Sequence, residues 1–128
     1  MQRMRELAMA ASEHAYVPYS GFKVVAAVLV ENGEIFSACN VENASYSLSM
    51  CAERNALFQA VSHGHRKVQA VVIFTPTSQP TPPCGACRQA IGEFGPEAEI
   101  FSFARAGDPL HARLDDLLPH SFSAGDLA

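Results

Sequence analysis

The spacing of apolar residues changes from a helical to a strand period early in the chain. Apolar positions recur every three or four residues at Met4, Leu7, Ala8, Ala11 and Ala15. This spacing predicts an amphipathic helix over 2–15, ended by the turn-forming PYSG at 18–21. The apolar runs KVVAAVLV (23–30) and IFSACNV (35–41) then flank an Asn-Gly turn signal at 32–33, which predicts a β-hairpin.

Helical and strand patterns alternate through the rest of the chain. The prediction is a helix over 50–63 with Ser49 as its N-cap, a strand over 68–75, a helix over 84–94, a strand over 98–104 and a short turn over 114–119. The strand at 68–75, VQAVVIFT, is almost continuously apolar, as is typical of a strand buried on both faces. The segment PTSQPTPP cannot extend it, because proline removes backbone donors and fixes φ.

This order of elements predicts an α/β fold. Helices that alternate with apolar strands imply a mixed central sheet, here of about five strands, with helices on its faces in a three-layer α/β/α sandwich. A length of 128 residues fits a single domain over 1–128 with one core. We see no internal repeat and no low-complexity segment.

Composition and charge narrow the class of partner. Hydrophobic residues make up 48% and charged residues 17%, as in a soluble globular protein. The net charge is −4 and Lys and Arg form no block, which argues against a nucleic-acid partner. The first residues, MQRMRELAMAASEHAY, interleave charged with apolar positions, unlike a secretory signal, and no stretch is long enough to span a membrane. We therefore expect a cytoplasmic protein whose four cysteines are thiols or metal ligands.

Three of these cysteines fall where a predicted helix begins. Cys51 lies in CAER, and Cys84 and Cys87 lie in PCGACRQ. Unpaired N–H groups and the helix dipole favour thiolate at such positions, and thiolate is the form that binds metal. Three thiolates leave the fourth position of a tetrahedral zinc ion for water, as in a catalytic site. Glu53, if it is not a ligand, can accept the proton of that water, and Arg54 is the cation available to offset the thiolate charge.

Other readings of the thiols remain open. A C-x-x-C pair alone fits a redox pair or half of a structural zinc site, and a lone Cys51 fits a buried core thiol. Cys39 has no partner spacing, so we assign it to the core. The main rival to catalysis is a closed, noncatalytic zinc or redox module in which Cys39 is the fourth ligand. Taken together, C-A-E and the later P-C-x-x-C match the zinc deaminase signature.

The segments PYSGF, NVENASY, CAER and PCGACRQ occur in this order, and with them the chain resembles the small cytidine deaminases of pyrimidine salvage. The resemblance extends from Tyr16 to Phe122. It implies one Zn²⁺ per subunit held by Cys51, Cys84 and Cys87, with Glu53 as the proton shuttle. The implied reaction is hydrolysis of cytidine and deoxycytidine to uridine and deoxyuridine with release of ammonia.

The resemblance also implies how substrate is held. Phe22 is similar to the residue that stacks on the base, Asn40 and Glu42 to the pair that holds the ribose hydroxyls, and Ala52 to a residue of the same pocket. Family members of this length form homotetramers with shared active sites. Tyr46 is then expected at a subunit contact and Phe122 at a neighbouring subunit's pocket.

Two departures from the family pattern bear on pocket shape. Val25 stands where the family has a glycine, and Ser47 stands where it has another glycine. An alternative substrate is a nucleoside antibiotic such as blasticidin S, or a base in RNA. Arg54 after the acid, the NVEN segment and the acidic charge favour free cytidine over both.

Overall fold

The computed structural model describes residues 2–127, which form a sheet with helices on both faces. The helices are α1 (Gln2–Ala11), α2 (Ala52–Ser62), α3 (Gly85–Phe94) and α4 (Leu114–Leu117). The strands are β1 (Val25–Val30), β2 (Ile35–Cys39), β3 (Val68–Phe74), β4 (Glu99–Phe103) and β5 (Leu110–Arg113). Short 3₁₀ turns cover Ser12–His14, Tyr46–Leu48 and Ala124–Leu127.

The five strands form one mixed sheet in the order β2-β1-β3-β4-β5. β1 pairs antiparallel with β2 across the predicted hairpin, with Val28 opposite Phe36, and also antiparallel with β3. β3 and β4 are parallel, as a crossover through α3 requires, and β5 returns antiparallel to β4. The carboxyl ends of β3 and β4 therefore lie side by side. The prediction of a mixed sheet of about five strands is confirmed.

Two apolar clusters separate the three layers. On one face, Met4 and Ala8 of α1 pack on alternate residues of β1 and β3, including Val25 and Val72. On the other face, Leu57 of α2, Ile91 of α3 and Leu114 of α4 pack on residues of β1, β3 and β4. Alternate strand residues thus face opposite clusters, because side chains alternate along a strand. This arrangement is the predicted α/β/α sandwich.

Besides shifts at the ends of elements and a helix, α4, in place of the predicted turn at 114–119, two details differ from the prediction. α2 begins at Ala52 with Cys51 as its N-cap, so the prediction of Ser49 as the cap is wrong. Ser49 instead accepts a hydrogen bond from the Asn43 N–H, at 3.0 Å, which closes the loop before the helix. β5 was absent from the predicted elements, since LHAR is short and gains its strand geometry from pairing with β4.

Among residues 2–127, no helix is long and apolar enough to cross a membrane.

Candidate active site

The N-termini of α2 and α3 bring the three thiols together. Cys51 is the N-cap of α2 and Cys84 is the N-cap of α3, and both have extended backbone geometry where the chain enters the helix. Cys87 lies in the first turn of α3, and its backbone N–H donates to the Cys84 Sγ at 3.5 Å. Two helix N-termini, each with a partial positive charge, therefore meet at one cluster of sulfur atoms.

The spacing of the sulfur atoms fits one zinc ion. The Sγ atoms of Cys51, Cys84 and Cys87 all lie within 4.8 Å of one another, and those of Cys51 and Cys84 are 3.9 Å apart. Two sulfurs at about 2.3 Å from a tetrahedral zinc ion would be about 3.8 Å apart. Cys39 packs against the α1-side cluster and, within residues 2–127, does not belong to this group. The donor set is three thiols with room for a fourth ligand.

The charges around the thiols favour thiolate at Cys51. A hydrogen bond from the Cys87 thiol, opposed by burial and aided by Arg54, lowers the pKa of Cys51 to about 5. The hydrogen bond to Cys51, together with burial, raises the pKa of Cys87, so Cys87 keeps the proton of the pair. The Nη2 of Arg54 donates to the Cys51 Sγ at 3.5 Å. Arg54 is therefore close enough to Cys51 to offset part of the negative charge of the thiolates.

Glu53 occupies the first turn of α2 beside these sulfur atoms. Its side chain is only 5% exposed, and it faces a cavity rather than bulk solvent. Burial raises the pKa of the Glu53 carboxyl, and the nearby Cys51 thiolate acts in the same direction. A carboxyl in this setting is suited to both accepting and donating a proton at neutral pH.

The cavity beside Glu53 has a volume of about 310 Å³. It is bounded by the strand ends, the start of α2 and the loop between β3 and α3. Of the residues predicted from the sequence to bind substrate or metal or to act in catalysis, the cavity brings together Phe22, Asn40, Glu42, Cys51, Ala52, Glu53 and Cys84. This volume is at the lower end of the range for small-molecule sites.

Asn40 and Glu42 also hold the segment that carries Phe22. The Asn40 Oδ1 accepts from the Val24 N–H at 3.0 Å, and its Nδ2 donates to the Phe22 carbonyl at 2.8 Å. The Glu42 carboxylate accepts from the backbone N–H of Tyr19 and from both the N–H and the hydroxyl of Ser20. The hydrogen bond from the Ser20 hydroxyl lowers the pKa of Glu42. Asn40 and Glu42 form one wall of the cavity together with the ring of Phe22.

Several predicted residues lie outside this cavity. Tyr46 is 74% exposed and borders a shallow depression next to the cavity, which it shares with Tyr19 and Glu42. Phe122 is 60% exposed and lies against α3, where its carbonyl accepts from Gln89. Ser47 is exposed in the 3₁₀ turn, and Val25 faces the α1-side cluster. Neither departure from the family pattern therefore lines this chain's cavity.

The sequence reasoning missed part of the cavity wall. The additional lining residues are Val24, Val41, Ser49, Met50, Ile73, Thr75, Thr81 and Pro82. Four of them, Val24, Val41, Ile73 and Thr75, belong to apolar runs that predict only strands. One signal was available, because the threonines occur in TPTSQPTPP directly before Cys84.

Comparison with known proteins assigns the chain to a family. Residues 1–103 match the family model described as the cytidine and deoxycytidylate deaminase zinc-binding region. The cytidine deaminase of Halalkalibacterium halodurans is 44% identical over 127 residues, which cover 98% of this chain and 96% of the relative. The cytidine deaminase of Sporosarcina psychrophila is 46% identical over 119 residues, covering 92% and 88%.

Solved structures agree with the sequence comparison. The 1.6 Å crystal structure of cytidine deaminase from Burkholderia pseudomallei superimposes with a TM-score of 0.89 at 46% identity. The alignment covers 94% of this chain and 98% of that chain. The fold and its length are therefore shared along nearly the whole polypeptide.

Proposed function

The chain belongs to the zinc-dependent cytidine deaminase family and is a hydrolase that deaminates cytidine; we propose that its substrates are the free nucleosides cytidine and deoxycytidine. The products are then uridine or deoxyuridine and ammonia. The observation that carries this proposal is a cluster of three thiols, two of which, Cys51 and Cys84, line a cavity of about 310 Å³ together with the buried carboxyl of Glu53.

In this proposal Cys51, Cys84 and Cys87 hold one zinc ion. When bound, zinc lowers the pKa of a water molecule from about 15.7 toward about 7 and so makes it a nucleophile for C4 of cytosine. The thiolates fix the position of the ion relative to Glu53. Arg54, with Nη2 at 3.5 Å from the Cys51 Sγ, offsets part of their negative charge.

Glu53 moves the protons of the reaction. Its carboxylate takes a proton from the attacking water and delivers one to N3 of the ring, which makes C4 more electrophilic. It then carries the second proton of the water to the departing amine, so that ammonia leaves and the carbonyl of uridine forms. Because Glu53 is 5% exposed, bulk water competes little for these protons.

The opposite wall of the cavity is suited to a base attached to a sugar. Phe22 supplies an aromatic face against which a pyrimidine can stack. The hydrogen bond from the Ser20 hydroxyl lowers the pKa of Glu42, so its carboxylate stays ionised to more acidic pH than an ordinary glutamate, and a carboxylate accepts hydrogen bonds from hydroxyl groups. We propose that Glu42 and Asn40 bind the ribose, with Asn40 also fixing the backbone directly after Phe22 through the Phe22 carbonyl and the Val24 N–H.

We also propose that the enzyme is a homotetramer with shared active sites. Support comes from large apolar side chains that are exposed in the single chain: Tyr16, Tyr19, Val41, Tyr46 and Leu48. Phe122 is exposed and outside its own chain's cavity, so any contribution it makes to a cavity is to a neighbour's. Light scattering should give about four times the chain mass of 13.8 kDa, and a purely monomeric native protein would contradict this.

The proposed setting is pyrimidine salvage in the cytoplasm. Free thiols at Cys51, Cys84 and Cys87 are metal ligands only while they stay reduced, which a reducing compartment ensures. The proposed reaction takes cytidine or deoxycytidine that has already been released from nucleotide, and it returns the corresponding uracil nucleoside.

Ammonia release from a panel of substrates tests the proposed function. Zinc-loaded protein is offered cytidine, deoxycytidine, blasticidin S and an RNA hairpin that carries an unpaired cytosine. The proposal predicts the highest kcat/KM for the two free nucleosides. Faster deamination of the hairpin or of blasticidin S would contradict the assigned substrate class, and no ammonia from any substrate would contradict the activity.

A further inference from the structure

The loop between β3 and α3, residues 76–83, forms a wall of the cavity without regular secondary structure. Thr81 and Pro82 line the cavity, and the loop ends at Cys84. Prolines at 76, 80, 82 and 83 deprive the loop of backbone donors. Hydrogen bonds from outside the loop must therefore fix its position more than its own backbone does.

A buried serine in the neighbouring strand provides one such bond. Ser102 lies in β4, is 0% exposed, and donates its hydroxyl to the Thr81 carbonyl at 2.6 Å. It shares its face of β4 with Ile100, which packs in the apolar core. A hydroxyl in such a place costs stability unless it is hydrogen-bonded, and its acceptor here belongs to the cavity wall.

Thr75 provides a second anchor at the start of the loop. It is 2% exposed, and its Oγ1 lies 2.8 Å from the Thr77 Oγ1 and 3.5 Å from the Thr81 Oγ1. The Thr77 hydroxyl in turn donates to the Gln79 carbonyl at 2.6 Å. Thr81 is therefore held at two points. The Thr75 hydroxyl contacts its hydroxyl, and the Ser102 hydroxyl bonds its carbonyl.

We propose that Ser102, supported by Thr75, is a positioning residue for the deaminase cavity. Its hydroxyl fixes the Thr81 carbonyl, and through it the wall from Thr81 to Cys84 next to the reacting end of the substrate. Ser102 has no exposed surface and touches no substrate. The inference rests on the proposed function, in which the reacting carbon of the substrate lies on the thiol side of the cavity and the rest of the nucleoside is bound on the Phe22 side.

The assignment predicts an unequal effect on kcat and KM. In zinc-loaded Ser102→Ala, kcat for cytidine falls about tenfold while KM stays within about threefold, because displacement of the wall affects alignment at the reacting atom. Thr75→Val keeps the side-chain shape and removes the hydroxyl, and it shows the same pattern. Thr75→Ser keeps the hydroxyl and therefore keeps most of the native kcat.

Ser37→Ala is the matched control. Ser37 lies in β2, which β1 and β3 separate from β4 in the sheet. This variant keeps the native kcat. A loss of kcat in Ser37→Ala equal to that in Ser102→Ala would overturn the proposal, because it would show a general effect of strand serines.

Amide hydrogen exchange gives a readout that does not depend on turnover. The N–H groups of Thr77, Ser78, Gln79 and Thr81 exchange faster in zinc-loaded Ser102→Ala and Thr75→Val, whereas those of β1 do not. Unchanged loop exchange and unchanged kcat in a folded variant would overturn the proposal. If native protein releases no ammonia from cytidine, the proposed function fails, while loop exchange still reports on the anchor. Should Ser102→Ala not fold, Thr75→Val and Thr75→Ser decide the question alone.

Discussion

The Sγ atoms of Cys51 and Cys84 lie 3.9 Å apart although the two residues cap different helices. α2 begins after the segment 40–51 that follows β2, and α3 begins after the loop 75–84 that follows β3. Cys87 joins them from the first turn of α3. The metal centre therefore lies where the N-termini of α2 and α3 meet.

Removal of one thiol should release the metal. Cys87→Ser replaces a thiolate with a poor zinc ligand and should lose most of its zinc on dialysis against a chelator, whereas the native protein retains one ion per chain. Cys39→Ala is the control, since Cys39 packs on the α1 side of the sheet. Equal zinc loss in Cys39→Ala would mean that Cys39 is a ligand and would support the closed, noncatalytic site.

Removal of the compensating charge should slow turnover without emptying the site. Arg54→Gln deletes the guanidinium that donates to Cys51, a charged hydrogen bond worth about 1.5–3 kcal/mol. We expect kcat to fall by about tenfold or more in protein with full zinc content. Arg66→Gln is the matched control, because within residues 2–127 the Arg66 side chain bonds only the carbonyls of Val61, in the last turn of α2, and of His65 beyond it. A native kcat in Arg54→Gln would argue against charge compensation.

The charge of Glu42 should respond to Ser20. The Ser20 hydroxyl is the largest cause of the lowered pKa of Glu42, so Ser20→Ala should raise that pKa toward the ordinary value of about 4.3. Because the folded pKa is lowered, the benefit of the charged form is present above the ordinary value and is lost as the pH falls through the lowered one. The carboxyl carbon shift of Glu42 followed by NMR against pH measures this.

Ser47→Ala is the control for that titration, because Ser47 is also an exposed serine near the cavity mouth. It should leave the midpoint of Glu42 unchanged. Substrate binding should follow the same charge, so KM should rise at acidic pH sooner in Ser20→Ala than in the native protein. An unmoved midpoint in Ser20→Ala would show that the backbone N–H groups of Tyr19 and Ser20 alone hold the carboxylate.

The departure at Val25 should affect stability rather than binding. Val25 is buried in the α1-side cluster, so Val25→Gly removes core volume and adds backbone freedom. We expect the free energy of unfolding, measured by urea denaturation, to fall by about 2 to 4 kcal/mol, with Val25→Ala in between. KM should stay within about twofold of the native value, because the Val25 side chain packs on the α1 face of the sheet, opposite to the face on which the cavity-lining Val24 packs. A large change in KM would show that the cavity depends on this strand position.

Much of the fold was predictable because the strands carry clear patterns. The hairpin at 23–41 and the buried strand at 68–75 appear as β1, β2 and β3 with small shifts at their ends. β5 was not predictable, since Leu110–Arg113 becomes a strand only by pairing with β4. Ser49 resembles a helix cap in sequence, but its hydroxyl is used to close the preceding loop.

The candidate site likewise contains residues that the sequence predicts and residues that it does not. The three thiols and Glu53 stand out in sequence because their chemistry and spacing are unusual. The structure clusters the thiols and places Cys51, Cys84 and Glu53 on the wall of one cavity. The bond from Ser102 to the Thr81 carbonyl joins residues far apart in the chain, and no local pattern indicates it. The dual use of Asn40 as a backbone clamp was equally hidden, because it depends on how closely β1 and β2 approach.

The most direct test of the account is ammonia release from cytidine by native protein and by Glu53→Gln at equal zinc content. Glu53→Gln keeps the shape of the side chain and removes its ability to carry a proton. We predict steady turnover by the native protein and a loss of at least about a hundredfold in the variant, with zinc still bound. Native turnover in zinc-loaded Glu53→Gln would contradict the central claim that Glu53 moves the protons of the reaction.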